Sequence, residues 1–283
     1  MWRILWHSAQ SFADARATES ASSIAYYALF SVFPLTIFVV ALASSFLEDK
    51  TVQQLIFNFV DETLPVFLRD VIKGNIEQAL ALRGPVQILG MVGLLWAASA
   101  VFTNLTHNLD RAWQIAEARN FIFGRLVGLA MIGAITTGLV LLWVLSTALL
   151  NILPALEIPL WNGKSIHLYD SYTWSLLSRF LPYFLIFFTF FNLYKWVPNT
   201  TVKWSEAAWG AAVAALGWEL AQRGFGWYLT SGWAKYQLVY GSLGAVIAFL
   251  LWLYINSLIV LYGAHLSAAI ASETRLKDSP PQN

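Results

Sequence analysis

Six apolar runs alternate with short polar breaks along the chain: Ile24–Leu47, Pro85–Leu105, Phe121–Leu150, Leu176–Trp196, Ala207–Leu229 and Ser242–Ile270. A helix that crosses a bilayer needs about 20 mostly apolar residues. The pattern therefore predicts an all-α polytopic membrane protein with six transmembrane helices in a single membrane domain, residues 1–283. Ahead of the first run, Trp2, Leu5, Trp6, Ala9, Phe12 and Ala13 recur at helical spacing. Residues 1–23 are thus expected to form an amphipathic helix, either lying in the interface or packing on the bundle.

Residues 48–84 are too polar to span. Val52, Leu55, Ile56, Phe59 and Val60 make one apolar stripe, and Phe67, Leu68, Val71, Ile72 and Ile76 make a second after Pro65. That pattern predicts an outer amphipathic helical loop, a lid or collar broken at Leu64–Pro65. The second run continues into a polar helix through Thr103, Asn104, His107, Asn108, Asp110 and Arg111. Residues 151–175, with Pro154, Pro159 and Gly163, form a second outer loop, and a short basic linker covers 195–206. The tail, 272–283, is expected to fray.

Composition agrees with a lipid solvent. Hydrophobic residues are 58% of the chain and charged ones only 12%, about half the charged share of an ordinary soluble domain. A net charge of +1 gives no bulk positive field for nucleic acid. The absence of cysteine removes disulfides, thiolate metal sites and cysteine nucleophiles. Many of the 14 Trp and 11 Tyr lie near the ends of the runs, where amphipathic rings favour the headgroup level. The first run follows a mixed polar leader and is long enough to span, so it is read as a retained helix rather than a cleaved signal.

An even number of crossings puts both termini on one side. That side would hold nine cations: Arg3, Arg16, Arg111, Arg119, Arg125, Lys195, Lys203, Arg275 and Lys277. The other would hold six: Lys50, Arg69, Lys73, Arg83, Lys164 and Lys235. The positive-inside bias places both termini in the cytoplasm.

Ionisable groups inside the runs need a reason, because each costs ~2.5–3.5 kcal/mol to insert at the centre of a spanning helix. Glu219 and Arg223 stand four apart in the fifth run. They can pair along the helix, or line a cavity in which Arg223 binds an anionic group such as a phosphate. Arg179 opens the fourth run beside Pro182 and can snorkel outward or face the same cavity. Asn192 and Asn256 are expected to bridge helices. These five are the candidate substrate contacts. Asn104, Asn108 and Arg111 share a helix face near the inner end, and His265 sits near the inner end of the last run. They form a candidate gate or headgroup site, with a solvated helix end and a packing imidazole as the plainer readings. Pro34 is a candidate hinge in the first run.

Familiar catalytic chemistry is missing. His7, His107, His167 and His265 are scattered, without HxH or HExxH spacing, so no metal ligand set is expected. There is neither a GxxxxGK[ST] loop nor a GxSxG elbow. No catalytic residue, metal or cofactor is assigned, and the chain is read as a non-enzyme.

The block Ala25-Tyr26-Tyr27-Ala28-Leu29-Phe30-Ser31-Val32-Phe33-Pro34-Leu35 resembles the first-span signature of the YihY/virulence factor BrkB family of bacterial inner-membrane proteins. The resemblance continues at Leu95-Trp96-Ala97-Ala98-Ser99, Leu109-Asp110-Arg111-Ala112-Trp113 and Trp218-Glu219-Leu220. It ends with Tyr240-Gly241-Ser242-Leu243-Gly244, Leu251-Trp252-Leu253-Tyr254 and Leu261-Tyr262-Gly263-Ala264-His265-Leu266. The family often has Asn where this chain has Asp110 and Glu where it has His265, so no mechanism here can rest on a carboxylate at 265. The resemblance implies a six-helix inner-membrane protein. An older family label, a tRNA-processing ribonuclease (ribonuclease BN), conflicts with the lack of metal-binding histidines and of a basic RNA surface.

Together these features predict a transporter or flippase-like conduit for a phospholipid or a phosphate-bearing lipid-derived amphiphile, serving envelope maintenance. The rival is a non-transporting scaffold that anchors an envelope complex. The expected partners are membrane lipids, with an envelope protein or a second copy of the chain as further candidates, and no nucleic acid.

Overall fold

A computed structural model describes residues 2–44, 85–113, 120, 122–131, 133, 157–159, 165–167, 172–231 and 243–278, with isolated positions between 54 and 74. Its helices are α1 (Trp2–Asp14), α2 (Ala17–Ser44), α3 (Pro85–Ala112), α4 (Ile122–Met131), α5 (Tyr172–Trp196), α6 (Trp204–Thr230) and α7 (Leu243–Asp278). Two short strands, β1 (Glu157–Pro159) and β2 (Ser165–His167), pair antiparallel with Glu157 opposite His167 and Pro159 opposite Ser165. This small ladder lies within residues 151–175, where no strand was expected. Otherwise the architecture is helical, as the apolar pattern requires.

Five of the predicted runs coincide with α2, α3, α5, α6 and α7, while α4 covers only the start of the third. Among the described residues, Val246–Arg275 is the stretch long and apolar enough to cross a membrane by length and composition. The 48–84 collar lies outside the described residues apart from single positions. One contact there joins its two halves: the Lys73 ammonium lies 5.2 Å from the centre of the Phe57 ring.

Two predicted boundaries need correction. The N-terminal amphipathic helix stops at Asp14, and residues 17–23 already belong to α2. Arg16 makes the break, with φ at 52°, the left-handed conformation that commonly ends a helix and usually falls to glycine. At the other terminus α7 runs to Asp278, well past the expected tail start at 272. Glu273, Arg275, Leu276 and Lys277 are good helix formers, and the next proline is Pro280.

α7 is the hub of the bundle, packing against α1, α2, α3, α5 and α6. Its tightest crossing uses missing side chains. A Cβ at Gly210 of α6 would fall 2.6 Å from the Gly263 carbonyl oxygen and 2.9 Å from Ser267 Cβ. Small residues let helix backbones approach where lipid removes the hydrophobic drive for association. The main core gathers Leu109, Trp113, Phe190, Tyr194, Ala211 and Ala264. A second gathers Ala17, Ala21, Ile24 and Leu261 beside Phe12.

The outside is greasier than the inside is uniform. Trp6, Tyr26, Phe30, Trp96, Phe184, Phe188, Leu220 and Trp227 are exposed, while Ser31, Ser99, Thr106, Asn108, Ser257 and His265 are buried. Exposed apolar side chains of this size and number fit a membrane or protein interface.

Candidate functional site

Several helix ends meet at one end of the bundle. Bonds from α3, α5 and α7 hold the turn 197–203 between α5 and α6. The Asn199 N–H donates to Asp110 Oδ1 at 2.7 Å, Arg275 donates to the Thr201 carbonyl at 3.2 Å, and Lys195 Nζ donates to the Val202 carbonyl. The C-terminal ends of α3, α5 and α7 therefore stand beside the N-terminal end of α6. The α6 start is closed by Glu206, whose carboxylate accepts from the Lys203 N–H at 2.8 Å. Such a carboxylate satisfies a backbone donor that a helix start leaves unpaired. Trp196 and Trp204 are both exposed here, and the Lys195 ammonium sits 5.6 and 5.1 Å from their ring centres.

The four inner candidates gather near this end. Asn108 donates to the Asn104 side chain at 2.9 Å and to the Asn104 carbonyl at 2.8 Å. Asn104 in turn donates to Ser23 on α2 at 3.0 Å. His265 shares a 3.0 Å hydrogen bond with Ser11 on α1, and the Phe12 ring meets the imidazole edge-on, 5.7 Å between centres. Asn108, Arg111 and His265 line one cleft with Ser20, Ala17 and Leu261. The cleft is too narrow for a water-sized sphere, so as it stands this is a packed polar junction of α1, α2, α3 and α7. α1 thus packs on the bundle through Ser8, Ser11 and Phe12.

The outer candidates divide. Arg223 Nε donates to Glu219 Oε1 at 2.7 Å, the pairing along the helix that the spacing predicts. Its guanidinium also donates to the Tyr183 hydroxyl of α5 at 3.3 Å. The Arg223 side chain is 69% exposed and that of Glu219 20%, so the pair opens on the bundle's outer surface rather than into its packed interior. Leu220, Trp227 and Phe184 around it are exposed as well. Along α6, Arg223 stands 19 residues beyond Trp204, about 28 Å at 1.5 Å per residue. The two clusters therefore occupy opposite ends of the bundle.

The expected helix bridges at Asn192 and Asn256 need correction. Asn192 donates to the Phe188 carbonyl at 2.7 Å and Asn256 to the Trp252 carbonyl at 2.7 Å, each one turn back on its own helix. An amide whose own helix offers a carbonyl at i−4 can satisfy a proton without a neighbour. No contact among the described residues joins either to Arg223. Arg179 belongs to α5, and its side chain lies outside the described residues. α2 continues as one helix through Pro34 to Ser44, and the proline ring likewise lies outside them.

Sequence reasoning missed Tyr183, Ser11 and Ser23. Each reaches a candidate residue from a distant part of the chain, and no local spacing announces such a meeting.

Comparison with known proteins gives one consistent result. The profile of the family described as Virulence factor BrkB matches residues 8–283. A UPF0761 membrane protein of Vibrio atlanticus is 31% identical over 266 residues, covering 93% of this chain and 81% of the relative. Another from Vibrio cholerae serotype O1 is 29% identical over 266 residues, covering 93% and 85%. No solved structure matches the chain.

Proposed function

The chain belongs to the virulence factor BrkB family, whose matched relatives are named membrane proteins, and from that premise we propose a conduit for amphiphiles in the bacterial inner membrane. In this reading the chain crosses the bilayer six times with both termini in the cytoplasm. It moves a phospholipid, or a phosphate-bearing fragment derived from one, between the two sides.

One observation carries the reading. Arg223 presents a guanidinium on the outer surface of α6, between exposed apolar residues that suit acyl chains. Glu219 already balances this charge, and the exposed guanidinium fork has a geometry that suits a phosphate. The proposed orientation draws support from the end of the bundle where Arg111, Lys195, Lys203 and Arg275 collect, since cytoplasmic ends carry the excess of Lys and Arg.

The test is reconstitution of the full chain into proteoliposomes. Movement of a tail-labelled phospholipid between leaflets, or flux of a glycerophosphodiester, with or without a proton gradient, is expected. Arg223→Ala should lower the rate several-fold while the purified protein stays folded. Absence of both movements would overturn the conduit.

A second reading, an anchor for an envelope complex, is favoured by the inner junction being packed too closely to admit water. It expects no flux, no effect of Arg223→Ala in a folded protein, and a partner recovered by crosslinking.

A further inference from the structure

We infer that the Glu219–Arg223–Tyr183 cluster recognises a zwitterionic phosphodiester headgroup, one carrying both a phosphate and an ammonium, in preference to an anionic one. The inference rests on the conduit reading and specifies its substrate class.

The argument begins with the charge of the site. Arg223 is paired at 2.7 Å with a carboxylate on its own helix. A lone outward guanidinium would favour any anion. A guanidinium and a carboxylate one helical turn apart sum to zero and favour a ligand with both signs at matching separation. Binding capacity remains on both partners. A guanidinium has five N–H donors in a planar fork, and a carboxylate has about four acceptor positions. The bonds among described residues use Nε toward Glu219 and a terminal nitrogen toward Tyr183. One Glu219 oxygen accepts from Arg223.

The Tyr183 hydroxyl holds the terminal nitrogen from α5 while Glu219 holds Nε from α6. The guanidinium plane is thereby set by two helices before any ligand arrives, and such preorganisation lowers the ordering cost of binding. A phosphate oxygen then meets the fork, and the ammonium meets Glu219. The acyl chains run over exposed Leu220 and Phe184. This surface selects a lipid over the soluble headgroup alone, because each buried methylene adds about 0.8 kcal/mol.

The test uses the full chain in proteoliposomes with tail-labelled phosphatidylethanolamine or phosphatidylglycerol, and soluble glycerophosphoethanolamine as a third arm. Lipid retention by the detergent-purified protein, read by native mass spectrometry, is measured in parallel. Phosphatidylethanolamine should be retained and moved about tenfold better than phosphatidylglycerol, the size of one charge-assisted hydrogen bond. Glu219→Gln should reverse the order, because the cation stays and its balancing charge goes. Exchanging the pair, Glu219→Arg with Arg223→Glu, keeps the net charge and should keep the order if Glu219→Gln fails to fold. Equal movement of both lipids, unchanged by Glu219→Gln, overturns the inference and leaves the conduit standing. Selective retention of phosphatidylethanolamine without flux supports the site and sinks the conduit. Better movement of the soluble arm than of either lipid overturns the lipid assignment.

Discussion

The Tyr194 hydroxyl on α5 donates to the Val260 carbonyl of α7 at 2.9 Å, and the same ring occupies the space that a side chain at position 263 would need. A Cβ on Gly263 would overlap the Tyr194 hydroxyl and fall 2.9 Å from Ala214 Cβ. One fully buried tyrosine therefore sets how closely α5, α6 and α7 approach.

Gly263→Ala is expected to destabilise the bundle by about 1–3 kcal/mol through overpacking. Tyr194→Phe should cost about 1 kcal/mol, the net worth of one hydrogen bond. Thermal unfolding of the purified protein in detergent should rank wild type above Tyr194→Phe and Tyr194→Phe above Gly263→Ala.

Gly224 offers the opposite case on α6. A Cβ there meets nothing within 4 Å, so the substitution changes helix propensity without crowding. Gly224→Ala should raise stability by up to about 1 kcal/mol. A lower melting temperature would mean that this face packs against a neighbour.

The contrast between these glycines shows what the sequence disclosed. Apolar runs of bilayer length located α2, α3, α5, α6 and α7, because any such run must form a helix in lipid whatever it packs against. The Glu219–Arg223 pair was legible for the same local reason, four residues being one turn. The role of Gly263 was not, since only Tyr194, brought in from another helix, makes that position intolerant. The same holds for Ser11 at His265 and Ser23 at Asn104. Asn192 and Asn256 misled, because an amide in a helix can satisfy itself one turn back and need not reach a neighbour. The break at Arg16 was hidden because arginine is not a residue that usually marks a left-handed turn.

Removing the hydroxyl at Ser11 should loosen α1. Ser11→Ala loses the bond to His265 (3.0 Å), worth about 1 kcal/mol, so amide exchange across 2–14 should quicken by about fivefold. Phe12→Ala should quicken it more, because the ring also meets Tyr262 at 5.9 Å between centres. Exchange in α6 should stay as in wild type. Uniform quickening across the chain would instead mean global destabilisation.

Asp110 accepts from the Asn199 N–H at 2.7 Å. Asparagine retains an oxygen at that point, so Asp110→Asn should cost about 1 kcal/mol or less, whereas Asp110→Ala should cost about 1–3 kcal/mol by orphaning the N–H. Unfolding midpoints of the two variants compared with wild type check the order.

The chain has no cysteine, so single introduced thiols report topology without background. Under the proposed orientation, with both termini in the cytoplasm, a membrane-impermeant maleimide should label Lys164→Cys in cells whose outer membrane alone is permeabilised. Asn283→Cys should react only after the inner membrane is opened. Labelling of both before that step would contradict the three crossings expected between positions 164 and 283.

The left-handed elbow at Arg16 folds α1 back onto α7, so that Ser11 finds its partner 254 positions downstream. Closure of this structure thus waits until α7 has been made. A chain cut short before α7 leaves α1 without a berth, and quality control would meet that loose amphipathic helix first.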